Sequence, residues 1–346
     1  MDPSHFAQPS HISVPESSGR AQLHEHSMYW ELRGLQHRER VVLLNPLACT
    51  AKFYGGLADA VATQHQVLTF DYRGVGKSTR PRGRDWTSQL MAADALGLLD
   101  EVWPGEAVHV AGISMGGFIA QKLAVALVKQ QRLRSLCLLV ASQSYMPKLH
   151  LPLFIYDIMS SFIFGGPPKK LLEKHRGSQH LFLKLYAPGV ADRPARAEDG
   201  TESSMGDLWM QRWMPEYEQW FAIDDHKAMA AQLRLCVRHK TSNEEMATLR
   251  QSRVPMTVYA AMRDKTIEPA KQLKMARKLG AVAYEAHARH LGIVDDFNNL
   301  VNLLLITINS PANPEQLQAL LSKRDLAPSP VYSEVSSGYE PHEQAS

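Results

Sequence analysis

Cysteine is scarce in this chain. Its 346 residues hold three, Cys49, Cys137 and Cys236, at spacings that match no metal-ligand pattern. That excludes a disulfide framework and suits a reducing compartment, so a cytoplasmic protein is expected. No apolar run reaches the ~18 residues that a membrane-crossing helix needs. The first 22 residues are rich in Ser, Pro and His and have no apolar core of the signal-peptide kind. A net charge of +3 is too small to point to nucleic acid or an anionic membrane. Internal repeats are lacking as well. What is present is ordinary globular composition, 45% hydrophobic and 21% charged, enough for one large α/β domain with an insertion or for two domains.

The two ends differ in character from the middle. Residues 1–26 are expected to be a disordered lead, with His24 and His26 a solvated pair rather than metal ligands. Residues 310–346 are expected to be a mostly disordered tail interrupted by a short amphipathic helix near Glu315–Ser322.

Between the ends, strand and helix patterns alternate. Ser27–Arg33 alternates, and Val41–Leu44 is a continuous apolar run of the kind buried on both faces of a sheet. A helix follows with Phe53, Leu57 and Val61 at four-residue spacing. Gln66–Asp71 reads as a strand, and Thr87–Val102 as a helix with Leu90, Met91, Ala95, Leu98 and Leu99 inward. Gly76-Lys77-Ser78 imitates the end of a phosphate-binding loop, but Asp71 stands where that loop requires glycine, and its carboxylate would repel phosphate. Leu133–Val140, Met256–Ala260 and Ala281–Ala286 supply further strands, and Pro269–Leu279 a helix closed by Gly280. This rhythm predicts a mainly parallel sheet with helices on both faces.

One stretch carries chemistry. A run of β-formers ends at Gly112, an apolar helix opens after Ser114, and between them lies Gly112-Ile113-Ser114-Met115-Gly116, the pattern of a nucleophile elbow. A serine on so tight a turn has its Oγ thrust out of the sheet, and glycines on either side leave room for the backbone. The new helix aims unpaired N–H groups at that oxygen, ready to meet an oxyanion.

Asp71-x-Arg73-Gly74-x-Gly76-x-Ser78 followed by Gly112-x-Ser114-Met115-Gly116-Gly117 resembles the α/β-hydrolase superfamily, in the flavour of enol-lactonases, small carboxylesterases and monoacylglycerol lipases. The resemblance covers about residues 27–145 and 253–309. It implies the α/β-hydrolase fold, with a core over 27–144 and 253–309 and a helical cap over 145–252. The greasy run 151–164 and the stripe Trp209, Trp213, Tyr217 and Trp220 fall in that cap.

The same resemblance assigns the partners of Ser114. Asp264 and His290 each lie just past a late strand, in the chain order Ser, Asp, His. His290 would take the serine's proton, and Asp264 would fix its tautomer. His287 is the competing base; His290 is preferred because it lies further past the strand and precedes Leu291, although Arg289 replaces the family's usual glycine. The oxyanion would meet the backbone N–H groups of Leu47 and Met115, the former from a loop where Asn45-Pro46 replaces the usual His-Gly. The expected activity is a cofactor-independent serine hydrolase cleaving an ester, thioester or lactone of an apolar acyl group through an acyl-enzyme. The alternatives are carbon–carbon bond hydrolysis or perhydrolysis on the same triad, or a degenerate, non-catalytic binding protein. The expected partner is a small-molecule acyl substrate, with transient membrane-surface contact through the cap.

Overall fold

The computed structural model describes residues 13–81, 86–145, 194–196, 201–204, 226–290, 296–310 and 314–323. Among these, the strands are β1 (Ser17–Leu23), β2 (His26–Arg33), β3 (Arg40–Leu44), β4 (Gln66–Phe70), β5 (Val108–Ile113), β6 (Leu133–Leu139), β7 (Pro194–Arg196), β8 (Glu202–Ser204), β9 (Met256–Ala261) and β10 (Val282–Ala286). The helices are α1 (Gly55–Ala62), α2 (Ser88–Val102), α3 (Met115–Lys129), α4 (His226–Arg238), α5 (Asn243–Gln251), α6 (Pro269–Leu279), α7 (Phe297–Asn309) and α8 (Pro314–Lys323). A 3-10 turn at Ala51–Tyr54 leads into α1.

Eight strands form one sheet in the order β1-β2-β4-β3-β5-β6-β9-β10. The pairs β1/β2 and β2/β4 are antiparallel, and the remaining neighbours are parallel. The strands β5 and β9 are buried along their whole length, as parallel strands covered on both faces must be. One face packs Leu44, Leu68, Val110 and Leu138 under α2, α3, α4, α5 and α6. The other packs Leu43, Val67, Ala111 and Leu139 under α1, α7 and α8. This is the mainly parallel sheet with helices on both faces expected from the sequence.

Local signals explain the boundaries. Thr87 caps α2 by accepting from the Leu90 N–H at 3.1 Å, and Ser242 and Glu245 form a reciprocal capping box on α5. Gly280 ends α6 at φ 66°, a left-handed cap that glycine adopts at no steric cost. α3 lies centrally on the sheet and buries all but a few of its residues, which is why it reads as apolar on every side.

Several expectations are corrected. The lead is not disordered over residues 17–26: β1 pairs with β2 from Ser17 opposite Leu32 to Leu23 opposite His26. Of its residues only Ala21 is buried, so β1 is held by its hydrogen-bond ladder, and no hydrophobic alternation announces it. His26 is not solvated either; it is buried, with Nε2 3.4 Å from Asp94 Oδ2. Leu90 faces solvent, unlike Met91, Ala95, Leu98 and Leu99. Within the stretch expected to form a helical cap, β7 and β8 pair as a short antiparallel ribbon. The run 151–164 and the aromatic stripe 209–220 lie outside the described residues. No described helix is long and apolar enough to cross a membrane.

Candidate active site

Strand order brings the sequence candidates together. β5 delivers Ser114, β9 delivers Asp264 and β10 delivers His290, all past the carboxyl ends of parallel strands on one side of the sheet.

Ser114 has φ 53° and ψ −116°, a positive φ that few side chains adopt. Its neighbours leave no alternative to glycine. A Cβ on Gly112 would run into the carbonyl oxygen of Gly116, and one on Gly116 would overlap that of Leu44. The Ser114 N–H donates to Leu139 O at 2.9 Å, pinning the turn to β6.

Ser114 Oγ lies 2.8 Å from His290 Nε2, and His290 Nδ1 lies 2.9 Å from Asp264 Oδ2. The carboxylate can only accept, so Nδ1 carries the proton and Nε2 is left as an acceptor for the serine hydroxyl. Asp264 is buried, with a side chain wholly shielded from solvent. Its Oδ1 accepts from the N–H groups of Thr266 and Ile267 at 2.7 and 3.0 Å. His287, the rival base, is exposed and lies on no such chain of contacts.

Gln272, from the first turns of α6, is a member of this arrangement that carries no motif. It donates to Asp264 Oδ2 at 3.0 Å and to Ile267 O at 2.6 Å, and its Oε1 accepts from Ala261 N–H at 3.1 Å. The sequence held one clue, a polar residue recurring at helical spacing among Met275, Ala276 and Leu279 on the buried face.

The loop after β3 lies beside the first turn of α3, because Gly116 packs against the backbone of Leu44 and Asn45. On either side of this contact, the Ser114 N–H donates to Leu139 O at 2.9 Å and the Ala48 N–H to Gln232 Oε1 at 2.8 Å. The loop is anchored at several points. Asn45 Nδ2 donates to Phe70 O at 2.6 Å, Tyr54 Oη donates to Leu44 O at 2.6 Å, and Asp71 Oδ1 accepts from Ala51 N–H at 2.7 Å. Asp71 Oδ2 also accepts from Lys77 N–H at 2.7 Å, so the phosphate-loop lookalike is closed on a carboxylate. Burial pushes Asp71 up to about 6 against the pull of these two donors.

The cysteines take no part in this chemistry as nucleophiles. All three are free and buried, and burial pushes Cys137 and Cys236 up to about 12. No group of three or more His, Cys, Asp or Glu among the described residues is arranged to hold a metal ion.

The chain is similar to known proteins in sequence and in fold. A sequence model described as "Alpha/beta hydrolase family" matches residues 41–299. A Pseudomonas savastanoi pv. phaseolicola protein, named provisionally a carbamate hydrolase, is 29% identical over 174 residues, 50% of this chain and 63% of its own length. The pimeloyl-(acyl-carrier protein) methyl ester esterase of Aeromonas hydrophila subsp. hydrophila is 24% identical over 175 residues, 48% of this chain and 66% of its own. The chain thus spans under two thirds of these curated relatives. The crystal structure of the enol-lactonase from Burkholderia xenovorans LB400 superposes with a TM-score of 0.64 at 17% identity, covering 84% of this chain and 100% of that one.

Proposed function

Because the chain belongs to the alpha/beta hydrolase family, we propose that it hydrolyses a carboxylic ester, thioester or lactone through an acyl-enzyme on Ser114. The observation that carries this is the continuous contact from Ser114 Oγ through the His290 ring to Asp264. As Ser114 attacks the acyl carbon, His290 Nε2 takes the hydroxyl proton and then gives it to the leaving oxygen or sulfur. Asp264, held by two backbone donors and Gln272, keeps Nδ1 protonated and steadies the imidazolium. Water then repeats the sequence on the acyl-enzyme, with His290 again as base. The developing oxyanion is received by the N–H groups of Leu47 and Met115, the latter at the positive end of α3.

Two of the relatives support an ester-like bond as the target: one is named an esterase and another an enol-lactonase. The apolar run 151–164 supports an apolar acyl group, each buried methylene being worth about 0.8 kcal/mol. A panel of p-nitrophenyl acetate, butyrate and octanoate with a lactone tests this. Turnover that is abolished by Ser114→Ala and a kcat/KM rising toward octanoate are expected. A flat or falling series discards the apolar-acyl preference, and turnover that survives Ser114→Ala discards the acyl-enzyme.

A further inference from the structure

The loop that presents Leu47 is built against the preference of its own residues. Pro46–Cys49 is a four-residue turn closed by Cys49 N–H donating to Pro46 O at 3.4 Å, and its third residue, Ala48, has φ 65°. That is the turn position that asks for glycine, because a Cβ at positive φ crowds the neighbouring carbonyl. Alanine there would relax to negative φ unless the peptide before it were held, and the rotation would be absorbed by its neighbours, Leu47 among them.

The peptide is held at both ends. Cys49 Sγ donates to Leu47 O at 3.4 Å, and the Ala48 N–H donates to Gln232 Oε1 at 2.8 Å. Gln232 comes from α4, 184 residues further along the chain, within the stretch expected to form the cap. It is fully buried, and among the described residues the bond to Ala48 is the one hydrogen bond its side chain makes, Nε2 having no partner. A buried amide with one end unsatisfied is a poor stability device; an apolar side chain of that volume would serve packing better.

We propose that Gln232 is a positioning residue for the oxyanion hole. It locks the Leu47–Ala48 peptide so that the Leu47 N–H stays aimed at the developing charge, and it makes the seating of α4 a condition for turnover. The inference rests on the acyl-enzyme function proposed above. It also accounts for a loop that reads Asn-Pro-Leu-Ala, with no glycine to adopt the turn unaided.

The test is steady-state kinetics on the ester panel, with melting temperature and fluorophosphonate labelling of Ser114 measured alongside. Gln232→Met, which keeps the volume and removes the acceptor, should lower kcat about 10- to 100-fold with KM changed less than about threefold, and lower the melting temperature by only a few degrees as the Ala48 N–H loses its partner. Adding Ala48→Gly, which removes the penalty on positive φ, should restore at least about fivefold of that loss. A purely packing role predicts no such rescue. Should Gln232→Met fail to fold, Gln232→Leu, of similar volume and likewise without an acceptor, takes its place and should show the same loss in kcat. Unchanged kcat in Gln232→Met, or a loss that Ala48→Gly leaves in place, overturns the assignment while wild-type labelling and turnover leave the hydrolase intact. A wild type that is neither labelled nor active overturns the hydrolase function, and this assignment with it.

Discussion

Gln272 Nε2 lies 3.0 Å from Asp264 Oδ2, the same oxygen that faces His290 Nδ1 at 2.9 Å. Two donors therefore converge on one carboxylate oxygen, while Thr266 and Ile267 take the other. The direction in which Asp264 points is fixed by its surroundings before any substrate arrives.

Gln272→Ala should accordingly weaken both the fold and the reaction. It leaves Ala261 N–H and Ile267 O without their partner and costs about 2–4 kcal/mol of stability by denaturant titration. With Asp264 less constrained, kcat should fall about tenfold while KM holds. A stability loss with kcat untouched would show that Thr266 and Ile267 suffice to orient the carboxylate.

The two histidines after β10 should separate cleanly. His290→Ala removes the only described base in reach of Ser114 Oγ and should lower turnover about 10³-fold or more, while exposed His287→Ala stays within about tenfold. Kinetics on the two purified variants decide the matter, and the reverse order would move the site three residues along the chain.

Asp71 should leave a signature in stability against pH. In the fold its carboxyl titrates near about 6, against 3.8 for the free side chain. Between those values the folded state keeps a proton that the unfolded chain has released. Stability from this group is thus full below pH 3.8 and is lost as pH rises through about 6. The loss amounts to about 3 kcal/mol at most. Urea titrations from pH 4 to 7 should show this decline in the wild type and not in Asp71→Asn; parallel curves would contradict it.

What was legible in the sequence, and what was not, follows from the range of the forces involved. The alternation of strand and helix, the Gly112-x-Ser114-x-Gly116 turn and the left-handed cap at Gly280 are set by residues within a few positions of one another. β1 leaves no pattern in the sequence because Ser-Ser-Gly-Arg-Ala-Gln-Leu buries one side chain and relies on backbone pairing with β2. Periodicity places Leu90 inward, yet in the first turn of α2 it is Ser88 and Met91 that are buried and Leu90 that is exposed. Gln272 and Gln232 escaped for another reason: a glutamine acquires its role only when the fold brings a donor or acceptor to it, for Gln232 from 184 residues away. Asp264 and His290 follow two late strands that the sheet sets side by side, and this brings His290 Nδ1 to 2.9 Å from Asp264 Oδ2.

The central claim is that Ser114 is the nucleophile, activated by the base 2.8 Å from its oxygen. Its most direct test is labelling with a fluorophosphonate, followed by peptide mapping. The wild type should carry one probe per chain, on Ser114; Ser114→Ala should carry none, and His290→Ala should react far more slowly. A wild type that stays unlabelled, or a Ser114→Ala variant that is labelled stoichiometrically at another residue, contradicts the account.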